Sequence, residues 1–159
     1  MKRVFLAITA VCLTGAIHAG VASAADRPLV QCDTRAECQN IRNVIAFYRV
    51  AINDKDFAAA RRYLGNVYIQ HNPNAADGAA GLKAFIAHLR ADLPQYHSRI
   101  VRAFATGNYV ILHVHNTQTP GTNGFAIVDI FRLQNGKIVE HWDVHQQVPD
   151  HSANGHSMF

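Results

Sequence analysis

The chain has 159 residues, of which 49% are hydrophobic, and a formal net charge of +4 at pH 7. This length suits one compact domain with a single core. The positive balance is mild, and the sequence has no basic run and no interleaving of basic and aromatic residues. These features argue against nucleic acid as the main partner.

Residues 1–24 are typical of a secretory signal peptide. Lys2 and Arg3 form a charged start, residues 4–17 are mostly apolar, and Ala22-Ser23-Ala24 is a small-residue cleavage site. We therefore expect a periplasmic or secreted protein without a stable membrane anchor after cleavage. A permanent anchor is the weaker alternative, because polar and small residues interrupt the apolar stretch.

Residues 25–40 are predicted to form an N-terminal segment that precedes the domain. This segment contains Cys32 and Cys38, which an oxidising compartment would favour as a disulfide joining the segment to the first helix. Two free thiols are the alternative. A zinc site is disfavoured because the flanking ligands are missing.

Three helices are predicted before Pro94. Thr34 and Glu37 have the spacing of a capping box, and apolar residues follow at helical spacing from Ile41 to Ile52. A short alanine-rich helix fits residues 55–64. After a short extended stretch, a third helix is predicted around residues 82–89.

The chain after Pro94 is typical of a β-sheet. Four runs rich in valine, isoleucine and aromatic residues are separated by turn sequences, and they cover residues 98–106, 109–117, 125–133 and 137–148. Short turns between neighbouring runs indicate an antiparallel meander. Helices followed by a curled meander define an α+β protein, with helices on one face of the sheet. Residues 149–159 are predicted to be a flexible tail.

Alternation along the last two strands suggests a candidate site. Val139, His141, Asp143 and His145 share one face of the last strand, and Phe125, Ile127, Asp129, Phe131 and Leu133 share one face of the strand before it. A two-residue Asn135-Gly136 turn would place Asp129 opposite Trp142. A three-residue loop would place Asp129 opposite His141, and we prefer this second register.

Two carboxylates and an imidazole on one apolar face would have their pKa values pushed apart by desolvation and mutual charge. That arrangement is the physical basis of general acid/base catalysis near neutral pH. The alternative is that Asp129 only bonds a neighbouring group while Asp143 is exposed near a strand end.

Four sequence blocks are similar to SnoaL-like proteins of the nuclear transport factor 2-like superfamily. They are Tyr68–Pro73, Gly81–Phe85, Val128–Leu133 and Asn135–Val144. The resemblance covers a domain of residues 41–148, and it implies a cone-shaped α+β barrel that encloses a small-molecule pocket. The fold alone does not determine the chemistry.

The resemblance also implies a polyketide cyclase-type activity. Such proteins close a ring by an intramolecular aldol step without metal or cofactor, and Asp143 matches their acid/base aspartate. Asp129 would be its catalytic neighbour, and His71 at the mouth of the pocket or His141 would assist the proton transfer. Asn72 with Tyr48 would orient a carbonyl or enolate. The expected class is a lyase or isomerase that acts alpha to a carbonyl; a non-catalytic periplasmic domain that binds a small ligand is the alternative.

The remaining predictions concern the histidines and the outer face of the sheet. His113 and His115 share one face of a strand, and we expect them to line the pocket with Phe131 and His141. A zinc or iron site built from His113, His115, His141, His145 and a carboxylate is the less favoured alternative. By analogy with related proteins, a homodimer is expected through the outer face, which would expose Ile138, Trp142 and Val144.

Overall fold

The computed structural model describes residues 27–159. The predicted signal peptide lies outside these residues. Among the described residues, no helix is long and apolar enough to cross a membrane.

Three helices, two of which continue as a short turn of another helix type, precede most of the sheet. Helix α1 (Arg35–Tyr48) begins with a complete capping box between Thr34 and Glu37, and it continues as a π-helical turn, Arg49–Asn53. Helix α2 (Phe57–Ala60) is capped by the Asp56 side chain and continues as a 3₁₀ turn, Arg61–Tyr63. Helix α3 (Gly78–Asp92) is the last helix.

Six strands form one sheet. They are β1 (Leu29–Gln31), β2 (Leu64–Gln70), β3 (His97–Thr106), β4 (Tyr109–Thr117), β5 (Phe125–Gln134) and β6 (Lys137–Gln147). The order across the sheet is β1-β3-β4-β5-β6-β2. Strands β3 to β6 form the predicted antiparallel meander, while β1 and β2 join its edges in parallel with β3 and β6.

The helices cover the concave face of this curled, unclosed sheet. Helix α1 packs against β3 and β4, and α3 packs against β2. The core between them contains Ile41, Val44, Phe47, Leu112, Val114, Phe131 and Leu133, all with exposures of 3% or less. The predicted α+β cone fold is confirmed. The predicted second helix is shorter than residues 55–64, because Lys55 has a positive φ of 53° and β2 already begins at Leu64.

The N-terminal segment and the tail both contact the sheet. Cys32 and Cys38 form a disulfide whose Cα atoms are 5.3 Å apart, and it links the end of β1 to the first turn of α1. At the other end, the ring of Phe159 stacks on His115 at 4.3 Å and lies 5.4 Å from His113. The tail therefore returns to the convex face of the sheet, whereas the sequence predicted a flexible tail.

Candidate functional site

A cavity of about 580 Å³ lies between the helices and the concave face of the sheet. Its walls are largely apolar and aromatic, with Phe47, Ile52, Tyr68, Leu82, Phe85, Leu89, Tyr96, Ile127 and Phe131 among them. Polar side chains are concentrated on β5, on β6 and at the end of β2 with the loop that follows it: Gln70, Asn72, Asp129, His141, Asp143 and His145. An apolar cavity with a few converging polar groups is the usual form of a small-molecule site.

A β-bulge brings the two carboxylates together. The Asn135-Gly136 turn has two residues, with φ of 51° and 72°, and pairs Gln134 with Lys137. The register then shifts between Leu133 and Arg132, which leaves Val139 as the extra residue. Asp129 consequently lies opposite Asp143.

Both sequence-based registers are wrong in detail because neither included this bulge. The preferred one placed Asp129 opposite His141, whereas His141 lies opposite Phe131. The predicted grouping of Asp129, His141 and Asp143 on one face nevertheless occurs in the structure. One donor atom of each lies within 4.8 Å of the others.

Asp129 and His141 form a buried pair. Nε2 of His141 lies 3.0 Å from Oδ1 of Asp129, and the two side chains are 10% and 5% exposed. The hydroxyl of Tyr48 donates to the other Asp129 oxygen at 3.2 Å. Nδ1 of His141 lies 3.1 Å from Oε1 of Gln70, and the ring stacks on Phe131 with centroids 4.6 Å apart. The pair is therefore fixed in orientation by Tyr48, Gln70 and Phe131.

Asp143 is held by a second set of donors. The amide Nδ2 of Asn72 lies 2.7 Å and 3.0 Å from its two carboxylate oxygens, and Nε2 of His145 lies 3.1 Å from Oδ2. Oδ1 of Asn72 accepts the backbone N–H of Asn74, which fixes the amide with its NH₂ group toward Asp143. This geometry favours an ionised carboxylate.

The pKa values of Asp143 and His145 move in opposite directions. Burial alone would raise the pKa of Asp143, but the hydrogen bonds from His145 and Asn72, with the nearby imidazoles, lower it below its ordinary value. The hydrogen bond to Asp143 raises the pKa of His145, against the opposing effect of burial. Asp143 is thus an anionic proton acceptor at neutral pH.

Three tyrosines of the cavity keep their protons. Burial raises the pKa of Tyr48 well above its ordinary value, and Asp129 raises it further. Burial also raises the pKa of Tyr96 to about 12, with smaller contributions from the charges of Asp129 and Asp143. The pKa of Tyr68 is raised for the same reasons. These hydroxyls are therefore hydrogen-bond donors in the cavity.

The donor atoms of Asp129, His141 and Asp143 are close enough together for one divalent cation. Each of the three side chains, however, already has hydrogen-bond partners in the protein. The arrangement is thus complete as a hydrogen-bonded network of acids and bases.

The structure contradicts the predicted place of His71 at the mouth of the pocket. The side chain of Gln70 lines the cavity, so the side chain of the next residue, His71, points to the opposite face. There, Nε2 of His71 lies 2.8 Å from Oε1 of Glu140, and its ring stacks on Trp142 with centroids 4.5 Å apart.

His113 and His115 also lie outside the cavity that they were predicted to line. Leu112 and Val114 occupy the inner face of β4 and are fully buried, so the alternating histidines lie on the outer face. Ile138 was predicted to be exposed on the outer face, but it is fully buried. Ile138 pairs with Leu133, on the inner side of the bulge.

Other predicted residues do line the cavity: Tyr48, Asn72, Asp129, Phe131, His141 and Asp143. Sequence reasoning assigned no role to Gln70, although it belongs to the same block as Asn72 and binds His141. It considered His145 only as a metal ligand. The i, i+2 spacing from Asp143 was the signal for a hydrogen-bonded pair.

Comparison with known proteins identifies the family. The model of the SnoaL-like domain matches residues 44–141, and the chain belongs to this family. No protein of curated function matches the chain.

Solved structures share the fold. A candidate polyketide cyclase from Bacillus cereus ATCC 10987 superimposes with a TM-score of 0.64 at 20% identity, over 75% of this chain and 85% of that one. An NTF2-like protein of unknown function from Burkholderia xenovorans LB400 has a TM-score of 0.62 at 18% identity, over 76% and 92%. A candidate SnoaL-like polyketide cyclase from Jannaschia sp. CCS1 has a TM-score of 0.59 at 19% identity, over 72% and 90%.

Proposed function

We propose that the protein is an enzyme that moves a proton alpha to a carbonyl group by acid/base chemistry of its own side chains, as an aldol cyclase, isomerase or lyase does. The observation that carries this proposal is the position of Asp143. Its ionised carboxylate lines an apolar cavity, opposite a second carboxylate that is paired with an imidazole. A proton acceptor and a proton-bearing pair on one wall are what enolisation requires.

The cavity favours a neutral substrate. Among the described residues that line it, there is no lysine or arginine. A carboxylate or phosphate group would therefore meet Asp129 and Asp143 without a permanent cation to offset them. The aromatic and aliphatic walls instead suit an apolar compound with one or more carbonyl groups.

Asp143 is proposed to remove the alpha proton. Asn72 holds both of its oxygens, which keeps the carboxylate in one orientation toward the cavity. His145 has a raised pKa and reaches solvent with 37% of its side chain exposed. It can therefore pass a proton between Asp143 and water when the enzyme is reset.

Deuterium exchange tests this proposal. The protein would be incubated in heavy water with a panel of neutral ketones and β-dicarbonyl compounds, and exchange at the alpha carbon would be followed by NMR. We expect Asp143→Asn to lower the exchange rate by at least about 100-fold. The control is Glu140→Gln, which alters a carboxylate on the outer face of the same strand. Full exchange by Asp143→Asn would refute the assignment, and tight binding of a panel compound without exchange would support a binding domain.

Export and pairing belong to the same proposal. The signal-like sequence of residues 1–24 supports a periplasmic or secreted location. The outer face exposes Val128 and Val144, at 37% and 68%, beside Trp142, which supports a homodimer through this face. Val144→Asp should then reduce the mass measured by light scattering from two chains to one. A monomeric wild-type protein at micromolar concentration would contradict the pairing.

A further inference from the structure

We propose that the Asp129–His141 pair carries one proton more than a neutral imidazole and a free carboxylate, and that it donates this proton to the substrate carbonyl. The inference rests on the proposed function and assigns the general acid that complements Asp143. Its physical basis is a count of donors and acceptors around His141.

The orientation of the Gln70 amide is the first step. Its Oε1 atom lies 2.9 Å from the backbone nitrogen of Asn72, and that N–H can only donate. The oxygen must therefore occupy this position, because a flipped amide would set an NH₂ group against the N–H. The amide nitrogen lies 3.2 Å from the hydroxyl of Tyr68, which accepts from it.

The tautomer of His141 follows from this orientation. Nδ1 of His141 faces the same Gln70 oxygen at 3.1 Å, and an oxygen acceptor requires that Nδ1 carry a proton. In a neutral imidazole, Nε2 would then be an unprotonated acceptor. Nε2, however, lies 3.0 Å from Oδ1 of Asp129, which is also an acceptor when ionised.

Two acceptors at this distance need a proton between them. The pair is therefore either an imidazolium with a carboxylate or a neutral imidazole with a carboxylic acid, and both forms have no net charge. The hydroxyl of Tyr48 supplies a donor to the remaining Asp129 oxygen.

The surroundings retain this proton. Titratable groups that face the pair come from several elements: Tyr48 on α1, Tyr68 on β2, Tyr96 before β3, and Asp143 and His145 on β6. The three tyrosines are neutral, and Asp143 contributes a negative charge that opposes loss of a proton nearby. His145 bonds Asp143 and lies opposite Ile127, whereas Asp143 lies directly opposite Asp129, so the charge of Asp143 acts on the pair from the nearer position.

The proton balance of the reaction explains why the site needs this acid. As Asp143 takes the alpha proton, the C–H electron pair forms the enol double bond and the carbonyl oxygen takes the proton of the pair. Asp143 becomes neutral while Asp129 with His141 becomes an anion, so the charge of the site is unchanged. Without that proton, the enolate would form beside the ionised carboxylate of Asp129, at a large electrostatic cost.

NMR of the imidazole nitrogens tests the proton count without any substrate. The signals of His141 would be assigned in ¹⁵N-labelled protein by comparison with His141→Gln, and the Asp129 carboxyl would be followed by ¹³C. At about pH 7 we expect either two protonated nitrogens, or protonated Nδ1 together with a protonated Asp129 carboxyl. A neutral ring protonated only at Nε2 beside an ionised Asp129 would overturn the proposal. A shift of these signals to metal-bound positions with stoichiometric Zn²⁺ or Mg²⁺ would also overturn it.

Gln70→Leu removes the oxygen that requires a proton on Nδ1 of His141. It deletes the acceptor of Nδ1, so His141 can become the Nε2–H tautomer and the pair no longer needs the extra proton. Gln118→Leu is the matched control, because Gln118 also lines the cavity but does not contact His141. An unchanged proton count in Gln70→Leu would contradict the proposal.

Activity separates this inference from the function on which it rests. If exchange depends on Asp143 and its rate falls at a lower pH in Gln70→Leu than in the control, both are supported. Exchange that depends on Asp143, together with a pair that lacks the proton, overturns only the assigned acid. A protonated pair in a protein that exchanges no carbonyl compound supports the proton count and removes its catalytic role.

Discussion

His145 and Asp143 lie on the inner face of β6, with Nε2 of His145 3.1 Å from Oδ2 of Asp143. The histidine side chain is 37% exposed, whereas the aspartate is 10% exposed. The pair therefore connects the cavity to solvent, with the imidazole outermost. The pKa of Asp143 is lowered and that of His145 is raised, so the pair can be measured in the absence of substrate.

Asp143→Asn should lower the pKa of His145. The hydrogen bond to Asp143 is the largest cause of the raised pKa, and the charge of Asp143 adds to it. An NMR titration of the His145 ring would measure the change. Glu140→Gln is the control, because Glu140 lies on the outer face of β6 and bonds His71 and Arg132. An equal pKa in the wild type and Asp143→Asn would show that the pair does not form in solution.

The same pair should stabilise the fold in a limited pH window. Protonated His145 contributes stability that is complete below its ordinary pKa of 6.5 and is lost as pH rises through its raised folded value. Ionised Asp143 contributes above its ordinary pKa of 3.8, and this contribution is lost as pH falls through its lowered folded value. The pair is therefore most stabilising between about pH 4 and pH 6.5.

Urea unfolding of His145→Gln would check that window. We expect the variant to lose less than about 1 kcal/mol at pH 5.5, because the imidazole is partly exposed and screened by solvent. The difference from the wild type should shrink toward zero at about pH 8.5. A larger loss at the higher pH would contradict the sign of the effect.

The sequence predicted the meander because strand alternation and turn residues are local properties. It could not predict which residue of β6 faces Asp129. The bulge at Val139 lies next to β2, and β2 is distant from β6 in the sequence. Gly65 of β2 makes the room: a Cβ at this position would lie 2.7 Å from Cγ1 of Val139. A contact between distant strands thus sets the register of the site.

The histidines show a different limit. The face of β4 that is buried could be inferred from Val110, Leu112 and Val114, which alternate with His113 and His115 and are all fully buried. This alternation indicates that His113 and His115 lie on the outer face. The prediction that they line the pocket followed instead from the i, i+2 spacing of two imidazoles. The direction of the His71 side chain was harder to predict, because it depends on how β2 pairs with β6.

Gly65→Ala tests the origin of the bulge. The added methyl group would collide with Val139, and we expect a loss of about 1–3 kcal/mol in unfolding free energy. Exchange activity should also fall, since Val139 lies two residues before His141. Val139→Ala removes the colliding methyl groups, so the double variant should recover part of the loss beyond additivity. Strict additivity of the two changes would count against this origin.

His71→Ala should leave the chemistry almost unchanged. His71 bonds Glu140 and stacks on Trp142 on the outer face, so we expect an exchange rate within about twofold of the wild type. Trp142 fluorescence should change because its stacking partner is removed. Asn72→Ala, one residue further along, should instead lower the rate strongly, because it frees both oxygens of Asp143. A large loss in His71→Ala would return His71 to the catalytic site.

Reduction of the Cys32–Cys38 disulfide should loosen the N-terminal segment first. The bond closes a short loop between β1 and α1, for which chain entropy gives about 2 kcal/mol. All three residues of β1 are exposed, and the strand pairs only with β3 among the described residues. Hydrogen exchange of the β1 amides should therefore accelerate in Cys32→Ser/Cys38→Ser, while that of the amides of β4 and β5 in the centre of the sheet stays slow. Thiols that react with an alkylating agent in the native, unreduced wild type would show that the bond is absent.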